Sequence, residues 1–171
     1  MKETVHFIIT GGTIDSYYEG SKDTVVTNEK SVIPQFIKSL KLYSECAFTV
    51  VCMKDSRESA MKDLQAVYEQ IRKSPHKRII ITHGTYTMPD TGRFLKERLK
   101  GTEKTIVLTG SMIPLSGFSP SDAPFNIGFA FAKVHELPHG VYVCMHGRVF
   151  SPDEVMKVLK EGRFSSIVGE S

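Results

Sequence analysis

Five short β-branched runs constrain this chain most: Val5 to Thr10, Phe48 to Met53, Arg78 to Thr82, Thr105 to Thr109 and Gly140 to Met145. Each is too short for a helix and is bounded by glycine or polar residues, which marks it as a strand. The segments between them carry a helical period instead, with Met61, Leu64, Tyr68 and Ile71 on one face and Phe94, Leu95 and Leu99 on another. Strands that are apolar on both sides and alternate with helices need cover on both faces. The pattern predicts an α/β fold, a doubly wound parallel sheet with helices on both faces. The chain has 171 residues, 40% of them hydrophobic, enough for one buried core. No linker, repeat or low-complexity tract divides it, so residues 1–171 are read as one domain.

Charge and hydropathy remove several function classes. The 22 basic and 19 acidic side chains are spread along the sequence, and a net charge of +3 without a basic stripe points to no nucleic-acid partner. The apolar run near the start is far too short for a secretory or membrane-spanning segment, so the expectation is a cytoplasmic protein with no membrane partner. Cys46, Cys52 and Cys144 are odd in number and lack C-x-x-C spacing; they are read as reduced, buried thiols. The histidines, His6, His76, His83, His135, His139 and His146, show no dense ligand spacing, and no metal or other cofactor is expected.

The polar residues collect where the strands end. T-G-G-T (Thr10 to Thr13), K-D-S-R (Lys54 to Arg57), T-H-G-T (Thr82 to Thr85), T-G-S-M (Thr109 to Met112) and H-G-R (His146 to Arg148) follow the strands in turn. In open α/β sheets the ligand crevice lies at that edge, and glycine lets backbone amides approach a ligand or a developing oxyanion. Capping explains any one such hydroxyl, and Ser31, Ser59 and Ser151 are read as helix caps; the repetition after every strand asks for more. Neither G-x-G-x-x-G nor G-x-x-x-x-G-K-[ST] is present, which argues against a phosphate-binding loop. Two polar stretches outside the alternation, Ser16 to Asn28 and Gly110 to Asp122, are candidate functional loops, and the residues from Gly162 onward are read as a surface tail or oligomer contact.

Taken together the loops resemble the asparaginase family. The matching motifs are Thr10-Gly11-Gly12-Thr13-Ile14, Asp55-Ser56, Thr82-His83-Gly84-Thr85-Tyr86-Thr87-Met88, Gly110-Ser111-Met112-Ile113-Pro114 and Asp122-Ala123-Pro124-Phe125-Asn126, in family order. The resemblance implies hydrolysis of a small amino-acid amide, asparagine or a close relative, to the acid and ammonia. It implies Thr13 as the nucleophile, oriented by Tyr18 on a lid, with the adjacent Tyr17 as the other candidate. Thr85 would lie across the scissile carbonyl, linked to Lys157 as a proton relay; which threonine is acylated stays open. Ser56 would hold the substrate's α-carboxylate, Arg57 could bind a carboxylate bidentately, and Gly12, Gly84, Tyr86, Ser111 and Met112 would line the substrate site. His83 is read as packing the loop. Lys157 itself lies in a helix-like stretch with Lys160, where a solvated lysine is ordinary.

The chain departs from the family pattern at Tyr86, where the family has an aspartate that pairs with the substrate's α-ammonium and supports the lysine. Removing one member of a buried ion pair costs about 3–5 kcal/mol, roughly a hundredfold or more in affinity. Tyr86 therefore favours a substrate whose α-amine is blocked or absent, or else marks a non-catalytic amino-acid-binding homologue. Family members also carry a smaller C-terminal domain that completes a neighbouring subunit's site, so a homo-oligomer is expected.

Overall fold

The computed structural model describes residues 3–168. Its central sheet grows from β1 (Val5–Gly11), a strand buried along its whole length on both faces. Strands β4 (Cys46–Lys54) and β5 (Arg78–Thr82) flank β1 in parallel, followed outward by β6 (Thr105–Thr109) and β7 (Gly140–Met145). A short strand, β8 (Arg148–Phe150), closes one edge antiparallel to β7, giving the order β4-β1-β5-β6-β7-β8.

Alternation along β1 separates two cores. Ile8 joins Ile79, Ile81, Ile106 and Leu108 against α2 (Met61–Lys73) and α3 (Met88–Arg98). Phe7 and Ile9 join Ile80 and Val107 against α1 (Ile33–Ser39) and α4 (Ala123–Glu136) on the other side. The expected doubly wound sheet with helices on both faces is what forms. Local chemistry agrees: Pro89 and Pro124 sit in the first turns of α3 and α4, where their missing N–H costs nothing, and Lys96 and Arg98 occupy the last turn of α3, complementing its dipole.

Several local expectations change. Ser16 to Asn28 is not a loop but chiefly a hairpin of β2 (Ser16–Glu19) and β3 (Thr24–Thr27). The stretch expected to be helical around Lys157 is β9 (Val155–Val158), paired antiparallel with β10 (Arg163–Ser166), so most of the expected tail is a strand; residues 169–171 lie outside the described part. Val155 is buried in the main core while Met156 beside it is exposed, and Phe164 on the paired strand is buried in the same core; that packing across the hairpin selects strand over helix. Ser31 Oγ accepts from Ile33 N–H at 3.1 Å at the start of α1. Neither Ser59 nor Ser151 is a side-chain N-cap: Asp55 caps the start of the short 3-10 turn Ser56–Glu58, Ser59 closes that turn with its backbone N–H on the Ser56 carbonyl, and Ser151 Oγ accepts from Lys96 Nζ. Cys46 and Cys52 are only half-buried; Cys144 is fully buried, and burial pushes its thiol up to about 12. Among the described residues no helix is long and apolar enough to cross a membrane.

Candidate active site

Chain order in the sheet reverses between β1 and β5, since the chain moves from β1 outward to β4 and then back across β1 to β5. In such sheets a crevice opens beyond the carboxyl ends of the strands at the switch point. Thr13 follows β1 and Thr85 follows β5, so the two threonines flank that crevice.

Glycines set how closely the loops converge. Gly12 has φ +81°, and a Cβ there would stand 2.4 Å from the backbone of Gly84. A Cβ on Gly84 would in turn stand 2.5 Å from the Ser56 Cβ. Three loops are thus stacked with no space for any other residue type at either position. Gly12 N–H donates to the Lys54 carbonyl at 2.8 Å, tying the first loop to the end of β4. Thr13 then begins the 3-10 turn Thr13–Asp15, and its hydroxyl has no hydrogen-bond partner among the described residues.

Behind Thr13, the fully buried Asp15 anchors the hairpin. Its Oδ1 accepts from Val32 N–H at 2.8 Å and Asn28 Nδ2 at 3.2 Å, while its carbonyl accepts from Asn28 N–H. Tyr18 donates to Asp23 and Tyr17 to Glu19, both rings are exposed, and neither lines the cleft around Thr13.

The cleft, about 210 Å³, is lined by Gly12 and Thr13, by Asp55, Ser56 and Arg57, by Gly84, Thr85 and Tyr86, and by Lys157. Most of the residues assigned from sequence therefore come together. Lys157 faces the same side of its hairpin as Val155 and pairs across it with the buried Phe164. From there Lys157 Nζ donates to Thr85 Oγ1 at 2.7 Å. Burial pushes the Lys157 amine below its ordinary range, the neighbouring Arg57 guanidinium adds to the shift, and Asp55 opposes it. Arg57 does not face the cleft as a free fork. Its Nε and Nη2 donate to the two Asp55 oxygens at 3.0 and 2.7 Å, and these bonds hold the Asp55 carboxyl below the usual carboxylate range. The Arg57 guanidinium also lies 5.9 Å from the centroid of the exposed Tyr86 ring.

Besides Tyr18, two assigned residues lie elsewhere. Ser111 is fully buried and spends its hydroxyl on the Ile113 carbonyl, so it lines no cleft. Met112 borders a wider space of about 610 Å³ beneath the hairpin, which Gly12 and Thr13 also line. The loop bearing both is held by Asp122, which accepts from the Met112 and Ile113 N–H groups and from Asn126 Nδ2. Asn126 also donates to the Gly110 carbonyl and accepts from His146 N–H. This clasp is visible in the sequence only as a motif. His83 is buried behind Thr85. Its Nδ1–H donates to the Gly84 carbonyl, which leaves Nε2 to accept from Thr91 Oγ1, and burial lowers its basicity. Among the described residues no three His, Cys, Asp or Glu side chains cluster as metal ligands would.

Comparison with known proteins gives a consistent result. The family model described as "Asparaginase, N-terminal" matches residues 4–166. A glutaminase-asparaginase of Acinetobacter glutaminasificans is 29% identical over 167 residues, covering 91% of this chain and 50% of that protein. A component of the glutamyl-tRNA(Gln) amidotransferase of Archaeoglobus fulgidus is 31% identical over 148 residues, covering 84% of this chain and 34% of that component. Among solved structures, the thermostable L-asparaginase from Thermococcus kodakarensis superposes with a TM-score of 0.84 at 25% identity, over 95% of this chain and 51% of that one. The chain thus spans about half, or less, of the length of these relatives. With the family model covering nearly its whole length, the chain belongs to the asparaginase family, in the part described as N-terminal.

Proposed function

We propose that this chain carries the chemistry of an amidohydrolase that releases ammonia from a side-chain carboxamide, with Thr13 as nucleophile. One observation carries the reading most: a lysine of lowered basicity donates to Thr85 at 2.7 Å inside the cleft that also holds the unpartnered Thr13 hydroxyl. A threonine hydroxyl attacks poorly until a base takes its proton, and a desolvated lysine gives up its own proton more readily and so supplies that base.

In this mechanism Thr13 Oγ1 adds to the amide carbon while its proton passes through the Thr85 hydroxyl to the Lys157 amine. The C–N bond then breaks as that proton moves to the nitrogen, which leaves as ammonia. Water attacks the Thr13 ester, gives a proton to the same relay, and the relay returns it to the Thr13 oxygen. Backbone N–H groups of the glycine-rich turns are the donors for the oxyanion. Ser56, with its side chain against Gly84, contacts the substrate's carboxylate end.

A second reading, delivery of ammonia to an acceptor, draws on the similarity to the amidotransferase component. Both readings share the amide-cleaving half-reaction. The test is ammonia release from asparagine, glutamine and N-acetyl-asparagine by the wild-type protein, Thr13→Ala and Lys157→Met. Release that both substitutions abolish supports the nucleophile and its base; no release from any of the three substrates favours the non-catalytic binding protein.

A further inference from the structure

The cleft holds the charged side chains Asp55, Arg57 and Lys157, and its one carboxylate is already engaged, with both oxygens on the Arg57 guanidinium. The other nearby carboxylates do not line this cleft. Glu58 borders the adjoining space beneath the hairpin, which Gly12 and Thr13 also line, and Asp15 is buried, accepting from Asn28 and Val32. A ligand ammonium lodged among the cleft's own lining residues would therefore meet Lys157 and Arg57 without a free counter-charge, whereas a carboxylate would be favoured there.

A groove of about 300 Å³ opens directly beside the cleft, and Tyr86 and Lys157 line both. Its wall is apolar: Met156, Leu159 and Ile167 are exposed at 46%, 71% and 59%. Besides Lys157, the formal charges in its lining are Asp90 and Arg93, which are paired with each other at 2.6 Å. The Tyr86 ring, 58% exposed, forms the sill between the charged cleft and this apolar groove.

We propose that the site selects carboxylate-bearing amides whose α-nitrogen is acylated, the acyl group lying over Tyr86 into the groove walled by Met156, Leu159 and Ile167. Acylation removes the ammonium charge and supplies the apolar group that the groove accommodates. Tyr86 is the specificity-determining residue. The inference rests on the hydrolase reading for what happens to the amide, but the choice of ligand can be measured apart from turnover.

The experiment is calorimetric titration of the Thr13→Ala protein with asparagine, N-acetyl-asparagine and N-benzoyl-asparagine, run alongside ammonia release by the unsubstituted protein. The benzoyl compound is expected to bind more tightly than asparagine by about tenfold or more, and adding Tyr86→Asp should shrink that ratio by a similar factor. Adding Leu159→Glu should lower the benzoyl-to-acetyl affinity ratio. Equal or reversed affinities, no binding of either acylated ligand, or ratios insensitive to Tyr86 and Leu159 overturn the proposal. So does a dimer in sedimentation that Leu159→Glu dissolves, because a second copy would then occupy the groove. Tight binding of the acylated ligands without ammonia release sinks the hydrolase reading and leaves the ligand class standing; turnover that favours asparagine does the reverse.

Discussion

Lys157 and Thr85, 72 residues apart in sequence, meet in a single hydrogen bond in which the ammonium donates and the hydroxyl oxygen accepts at 2.7 Å. That is the protonated state; once the amine is neutral, the same contact carries the Thr85 proton to Lys157 as the relay requires. In the proposed relay the two act as one unit, so their contributions should not be independent. Lys157→Met and Thr85→Ala are each expected to lower kcat by roughly 10²–10⁴-fold, the range of general acid–base contributions. The double variant should be little worse than either single one, as for groups acting in one relay. Steady-state ammonia release measures this; multiplicative losses would mean the two residues serve separate roles.

The Arg57 side chain, though tied to Asp55, also reaches Lys157 electrostatically. It helps hold the lysine below its ordinary range, second only to burial, while Asp55 pulls the other way. Arg57→Gln removes the lowering charge and frees the raising one, so the Lys157 amine should become more basic. If the neutral amine is the base, activity is lost as pH falls through the lysine's pKa, and the acid limb of the kcat/KM profile should move to higher pH in Arg57→Gln. The pH profile of ammonia release tests this, and an unmoved acid limb would place the working base elsewhere.

Two glycines with opposite surroundings make a stability test of the loop stacking. Gly12→Ala would place a methyl 2.4 Å from the Gly84 backbone at φ +81°, and both features are unfavourable. The expected cost is about 3 kcal/mol or more, from the left-handed conformation and from overpacking against rigid backbone. Gly128 lies on the exposed side of α4, where an added methyl would meet nothing within 4 Å. Gly128→Ala should stabilise by roughly 0.5–1 kcal/mol, since alanine loses less freedom on entering a helix. Urea midpoints at unchanged m-value report both, and a Gly12→Ala midpoint close to that of the unsubstituted protein would mean the three loops do not stack as described.

The parts legible in the sequence are those with local causes. The five parallel strands and the hydroxyl-bearing loops at their ends follow from period and from glycine placement, and with them come Thr13, Ser56 and Thr85. Lys157 is legible only through the family resemblance. Its strand is four residues long, too short for a two-residue period to stand out from a helical one, and it is fixed by Phe164 across the hairpin. Tyr17 and Tyr18, the two candidates for a lid tyrosine, are ambiguous for a related reason: adjacent strand residues point to opposite sides, and only the pairing of Tyr17 with Val26 and Tyr18 with Val25 sets their directions. Asp122 gripping backbone N–H groups nine and ten residues earlier is likewise a long-range contact that periodicity does not record.

Mild acid should destabilise the fold through its buried histidines. His6 is buried on β1 with Nδ1 at 2.8 Å from Ser74 Oγ and Nε2 at 2.8 Å from Thr49 Oγ1. The charged groups that face it are His76 and Lys104, with no carboxylate among them; burial first, then these two neighbours, lower its pKa from 6.5. His83 is lowered by burial as well. Because the unfolded chain binds these protons more readily, stability is complete above pH 6.5 and falls as pH drops below it toward each lowered folded value. The loss approaches about 1.4 kcal/mol per pH unit for each histidine while it titrates only in the unfolded state. Asp63 and Asp55 are themselves lowered from 3.8, so their contributions disappear only at still lower pH and leave the window between about 5 and 6.5 to the histidines. Urea midpoints at about pH 7.5 and about pH 5.5 should therefore differ in favour of the higher pH, and His6→Gln, which can still hydrogen-bond but not ionise, should narrow the difference. A midpoint that is flat or rises on acidification would mean His6 is not held neutral by the fold.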